Sequence, residues 1–78
     1  MNLKQLKLIW DFFGPDARKT AEHNEIHLKE FIKNQKLPLE ITGTEQISEF
    51  QWTAFLIVYE NDMIPVRDAL KPHRGEWY

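Results

Sequence analysis

The ten residues from Phe50 to Tyr59 carry no charge and are apolar at both parities. Trp52, Ala54, Leu56 and Val58 fall on one side of an extended chain, and Gln51, Thr53, Phe55, Ile57 and Tyr59 on the other. A run so rich in aromatic and β-branched residues reads as a strand. Both of its faces must be kept from water, so it belongs in the middle of a sheet that is covered twice. That requirement argues against an all-helical fold.

A second extended run precedes it. From Leu6 to Phe13, the residues Leu6, Leu8, Trp10 and Phe12 alternate onto a core face, while Lys7, Ile9, Asp11 and Phe13 share a mixed face. Gly14 and Pro15 break this strand, and Asp16 supplies an acidic residue where a helix begins. At 100° per residue, Ala17, Ala21, Asn24, Leu28, Phe31, Ile32 and Gln35 fall within one arc, the buried stripe of an amphipathic helix over residues 15–36. Asn24 and Gln35 are its polar blemishes. Pro38 ends that helix, Leu39 to Thr42 alternates as a strand would, and residues 42–49 are turn-compatible. Asn61 or Asp62 can cap a second, shorter helix that tolerates Pro65 in its first turn and buries Met63, Val66 and Leu70. Pro72 closes it, and the tail to Trp77 and Tyr78 has the makings of a short fourth strand.

This order, βαββα(β), predicts an α+β fold of the ferredoxin-like kind. It is an antiparallel sheet with residues 6–13 and 50–59 central and two helices on one face, all in a single domain over residues 1–78. A domain of 78 residues buries only about 60% of the surface its unfolded chain exposes, so it needs support from disulfides, a metal or a partner. With no cysteine, the first route is closed, and thiolate metal sites and cysteine nucleophiles go with it. No leader peptide and no run of about 20 apolar residues is visible, so a cytoplasmic protein without a membrane partner is expected. A formal net charge of −2 gives no electrostatic footprint for a phosphate backbone. Phe55 and Tyr59 are spaced somewhat like the base-stacking aromatics of RNA-recognition domains, but the basic, glycine-containing opening of that motif is missing, and no nucleic-acid partner is expected. Phosphate loops, serine elbows and HExxH motifs are also absent.

Three side chains carry the chemical possibilities. His23 and His27 stand four residues apart on one flank of the first helix, the geometry of a helical metal half-site, with Glu30 one turn further on. A divalent transition metal is the one cofactor these residues suggest. Zinc normally takes at least three protein ligands, however, and the plainer reading is a pair of solvated surface histidines. His27 borders the buried stripe, so it is also a candidate general base, oriented by Asp11 if the two come within hydrogen-bond reach. The plainer reading of Asp11 is a strand-end carboxylate that accepts a hydrogen bond from the following turn.

The element order, the small size and the twice-apolar strand together resemble the dimeric α/β-barrel proteins, in which two such sheets meet face to face. The resemblance is architectural and covers most of the chain. It implies a homodimer and a pocket between the open sheet face and the first helix. It also implies a menu of activities that includes cofactor-independent mono-oxygenases and small lyase-like enzymes of the YCII type. At the matching location, Asp11, Phe13, Thr53, Phe55 and Tyr59 would line the pocket, with Thr20 or His27 entering from the helix flank.

Independently of that resemblance, Ile9, Phe13, Phe55, Ile57 and Tyr59 all point away from the helices if the other parity points toward them. They would form a contiguous apolar patch of a kind that monomers seldom expose, so a homodimer through the open sheet face is expected. The functional expectation is a small homodimeric domain that binds a small-molecule ligand or a metal beside the first helix. The alternatives are an enzyme of the dimeric-barrel kind using His27 and Asp11, and a structural or interaction module without pocket chemistry. An enclosed pocket holding both residues favours the enzyme, and a solvated His27 favours the module.

Overall fold

A computed structural model describes residues 4–78. Strand β1 (Gln5–Phe13) leads into helix α1 (Ala17–Gln35), followed by β2 (Thr42–Ser48) and β3 (Gln51–Tyr59). A single 3-10 turn over residues 60–62 then opens helix α2 (Met63–Leu70), and β4 (Arg74–Trp77) completes the order. All four strands form one antiparallel sheet in the order β2-β3-β1-β4. The two strongest strands of the sequence, β1 and β3, lie at its centre, and the topology is the ferredoxin-like βαββαβ arrangement.

The alternation along β1 and β3 sorts the side chains onto two faces. Leu8, Trp10, Ala54, Leu56 and Val58 point to one side and pack with Ala21, Leu28 and Ile32 of α1 and Val66 of α2. This is the main core, and it uses the stripe that the helical period selects. Trp10 is held there by its indole N–H, which donates to the Leu70 carbonyl at 3.0 Å and so satisfies an end carbonyl of α2. Asn24 remains a blemish, because its side-chain nitrogen is buried without a hydrogen-bond partner.

Local signals set the boundaries. Gly14 adopts φ 109°, a conformation that favours glycine, and it links the sheet end by donating its N–H to the Phe50 carbonyl at 2.8 Å. Asp16 is the N-cap of α1, without a side-chain capping bond. Lys36 takes the left-handed conformation that ends the helix, and Leu37 donates back to the Ile32 carbonyl at 3.1 Å.

The second strand differs from the expectation. It runs over Thr42–Ser48, the segment expected to be a connector, whereas residues 39–41 stand outside it. Pairing with the strong β3 decides the matter: Thr42 to Gln46 register against Leu56 to Trp52, and the pairing is offset between Gln46 and Ser48 just before the two-residue turn at Glu49 and Phe50. Cross-strand partners override weak local propensity in a sheet. None of the described helices is long and apolar enough to cross a membrane.

Candidate functional site

The sheet face turned away from the helices can be read row by row from the register. Gly43, Phe55, Ile9 and Arg74 lie side by side across the four strands. On one side of that row come Glu45, Thr53 and Asp11, and on the other Ile57, Lys7 and Glu76. Tyr59 and Gln5 pair beyond one end, and Gln51 and Phe13 beyond the other.

Phe55 occupies the middle of this surface. A Cβ on Gly43 would stand 2.5 Å from the Phe55 ring, so the ring lies against bare backbone that only glycine leaves open. The Lys7 ammonium sits 4.5 Å from the ring centroid on its way to an ion pair with Glu45 on β2. The stem of Lys7 thus crosses the aromatic ring diagonally, an arrangement that shields apolar surface beneath a charged head.

That cover corrects the expected patch. Of the five apolar residues assigned to exposed surface, Ile9 is 2% and Ile57 0% exposed within the single chain. Phe55 and Tyr59 are half-buried, and only Phe13, at the strand end, is strongly exposed. Thr53 is buried as well. A count of apolar positions does not capture the cross-strand packing, such as Lys7 over the Phe55 ring, that a sheet face makes with itself.

Asp11 anchors a second ion pair. Arg74 donates to both of its carboxylate oxygens, Nε to one at 3.0 Å and Nη2 to the other at 3.2 Å, and Gln51 adds a longer contact at 3.4 Å. The Arg74 hydrogen bond holds the Asp11 carboxyl below its ordinary range; burial opposes this, and the Arg74 charge and the Gln51 hydrogen bond reinforce it. The backbone N–H of Asp11 donates to His73 Nδ1 at 2.8 Å, while the His73 backbone N–H donates to the Ile9 carbonyl at 2.9 Å. A backbone N–H can only donate, so Nδ1 is the acceptor and the hydrogen of the neutral ring is on Nε2. His73 therefore continues the β1 ladder with its ring just before β4 begins.

The remaining candidates sit elsewhere. His23 and His27 are both exposed on α1, and their Nε2 atoms lie 3.1 Å apart. His27 Nδ1 is 3.8 Å from a Glu30 carboxylate oxygen. Thr20 is exposed, and its hydroxyl donates to the Asp16 carbonyl at 3.0 Å. Because α1 packs on the opposite face of the sheet, Asp11, Phe13, Thr53, Phe55 and Tyr59 share a surface that neither Thr20 nor His27 joins. The partners of Asp11 are Arg74, Gln51 and His73, and those of His27 are His23 and Glu30.

Two shallow clefts lie away from all these residues. One, of about 210 Å³, opens between α1 and α2 beside Phe31, Leu37, Pro65 and Val66. The other, of about 390 Å³, is bordered by Lys29, Ile32, Lys33 and Glu40. Among the described residues, no group of three or more His, Asp or Glu side chains gathers as a ligand cage.

Sequence reasoning placed Lys7 and Gln51 on the open face by parity but missed Gly43, Glu45, His73 and Arg74 as parts of it. Their signal is the strand register, above all the return of β4 to β1, and that appears only once the sheet is assembled. No family model matches the sequence, and no curated protein or solved structure matches it either.

Proposed function

We propose that this chain is a self-associating module whose open sheet face receives the same face of a second copy. The observation that carries the reading is the charge pattern about the Phe55–Ile9 row. Lys7 lies one step to one side of Ile9 along β1, and Asp11 lies one step to the other. A second copy turned by 180° about that row sets its Asp11 opposite Lys7, its Lys7 opposite Asp11, and Phe55 against Phe55. Opposed Lys7–Asp11 pairs of this kind suit an isologous dimer, and the two Arg74 side chains that the same rotation brings together are each held by their own Asp11.

The apolar content of the face supports the same reading. Phe55 and Tyr59 are half-buried and Phe13 is 72% exposed, all on a sheet surface that none of the described helices covers. Burying a large apolar side chain contributes about 1.5 to 3 kcal/mol. The half-buried residues offer part of that each, and a small domain gains most from it. The exposure of His27 and the engagement of Asp11 by Arg74 favour a module over an enzyme built on that pair.

Sedimentation velocity tests the reading. The wild-type chain should sediment as a dimer at micromolar concentration and Phe55→Asp as a monomer, whereas Lys33→Asp on the solvated side of α1 should leave the dimer intact. A wild-type monomer at that concentration would reject the proposal.

A further inference from the structure

We infer that His23 and His27 form a two-nitrogen chelate on the exposed flank of α1 that takes a divalent transition-metal ion of the Cu²⁺, Ni²⁺ or Zn²⁺ class. The helix places the two rings one turn apart, and their edge-to-face contact, with centroids 4.8 Å apart and planes at 71°, turns Nε2 of each toward the other. Imidazole nitrogens bound at about 2.0 to 2.1 Å stand about 2.9 Å apart at a square-planar angle and about 3.3 Å apart at a tetrahedral one. The observed separation is 3.1 Å. Either geometry is within a small rotation of the rings, with no movement of the helix backbone.

The outer nitrogen of one ring has a partner suited to the same task. Glu30 Oε2 is 3.8 Å from His27 Nδ1, so a small side-chain rotation would bring its carboxylate to hydrogen-bond length, where it would favour hydrogen on Nδ1 and leave the Nε2 lone pair free. A carboxylate behind a ligating imidazole raises its basicity in this way. In that arrangement His27 Nε2 would accept in the contact between the rings and His23 Nε2 would donate. When the ion binds, His23 carries its hydrogen on Nδ1 instead, exchanging it through solvent on its exposed ring. Both ligands bind as neutral imidazoles, and the charge of the ion is left to water, the Glu30 carboxylate and solution anions.

Two protein nitrogens leave the other positions of the ion to water. The site is therefore a readily exchanging one, with affinity in the order that nitrogen ligands impose, Cu²⁺ above Ni²⁺ and Zn²⁺. The third histidine is a built-in control, because His73 Nδ1 already accepts the Asp11 N–H. The chelate lies on α1, whereas the proposed dimer uses the far side of the sheet, so neither inference depends on the other.

The test is calorimetric titration of the untagged chain with Cu²⁺, Ni²⁺ and Zn²⁺ salts at neutral pH, alongside His23→Ala, His27→Ala, His73→Ala and Glu30→Gln. The wild type and His73→Ala should bind a single ion per chain in the stated order. His23→Ala and His27→Ala should each weaken binding at least about tenfold, as should Glu30→Gln if its carboxylate acts behind the ring. Line broadening by Ni²⁺ in amide spectra should centre on residues 23 and 27, and unchanged far-ultraviolet spectra of the alanine variants would establish that the helix persists. Equal affinities in wild type, His23→Ala and His27→Ala, or no binding by the wild type at millimolar metal, would overturn the inference.

Discussion

Arg74 grips Asp11 across the edge of the sheet, Nε and Nη2 each meeting one carboxylate oxygen, and so ties the last strand to the first. Asp11 is largely shielded and Arg74 half exposed, with side-chain exposures of 14% and 47%. Their pairing is therefore worth only about 0.2 to 1 kcal/mol to the fold, but it is placed where a short strand can detach. Arg74→Gln should speed hydrogen exchange at the amides of residues 74–78 well before it lowers the melting temperature of the whole chain.

The same pair gives the acid limb of stability a direction. The folded-state pKa of Asp11 lies below its ordinary value of 3.8, chiefly through the Arg74 hydrogen bond. A group depressed in the folded state contributes stability that is complete above the unfolded value and is lost as pH falls through the folded one. Wild type should thus lose more stability than Asp11→Asn between about pH 5 and pH 2. Parallel acid titrations of the two, followed by circular dichroism, would refute the assignment.

His73 completes the β1 ladder with a ring nitrogen, so His73→Ala should leave the Asp11 N–H to water at an exposed edge. The expected loss is about 0.5 to 1.5 kcal/mol, measured by urea unfolding, with faster exchange of the Asp11 amide. Exchange at Asp11 that matches wild type would show that the ring contact contributes nothing.

Phe55 and Gly43 are coupled by contact alone. Gly43→Ala drives a methyl group into the Phe55 ring, and overpacking of this kind costs about 1 to 3 kcal/mol. In a Phe55→Ala background, the same substitution should cost much less, because the obstructing ring is gone. A double-mutant cycle without interaction energy would contradict the packing described for this face.

Asn24 offers a gain in stability. Its buried, unpartnered amide nitrogen lies within the helix stripe that packs on the sheet, so Asn24→Leu removes an unsatisfied polar group and adds apolar contact. An increase of about 0.5 to 2 kcal/mol is expected, read as a higher midpoint in urea. A lower midpoint would show that the amide makes a contact a leucine cannot replace.

The central elements were legible because they are the ones in which hydrophobic period and burial agree. Residues 6–13 alternate a core face with a mixed one, residues 50–59 alternate between two apolar faces, and α1 places Ala17, Ala21, Leu28 and Ile32 on one stripe, all buried. β2 was misplaced by several residues because Thr42 to Ser48 has little burial of its own, and its position comes from β3. At the open face, the parity of Ile9 and Ile57 was correct and their exposure was not: both are buried, while Lys7 crosses β3 over the Phe55 ring to reach Glu45, a contact that parity does not show. His73 and Arg74 meet Asp11 from more than sixty positions away, through a strand of four residues. No local pattern announces such a contact.

Self-association through the open face is tested most directly by isotope-filtered nuclear Overhauser spectroscopy on a mixture of labelled and unlabelled chains. The account expects intermolecular peaks between the Phe55 ring and the Phe55 and Ile9 side chains of the second copy, all lost in Phe55→Asp. Intermolecular peaks confined to α1 or α2, or none at concentrations where the chain is fully folded, would contradict it.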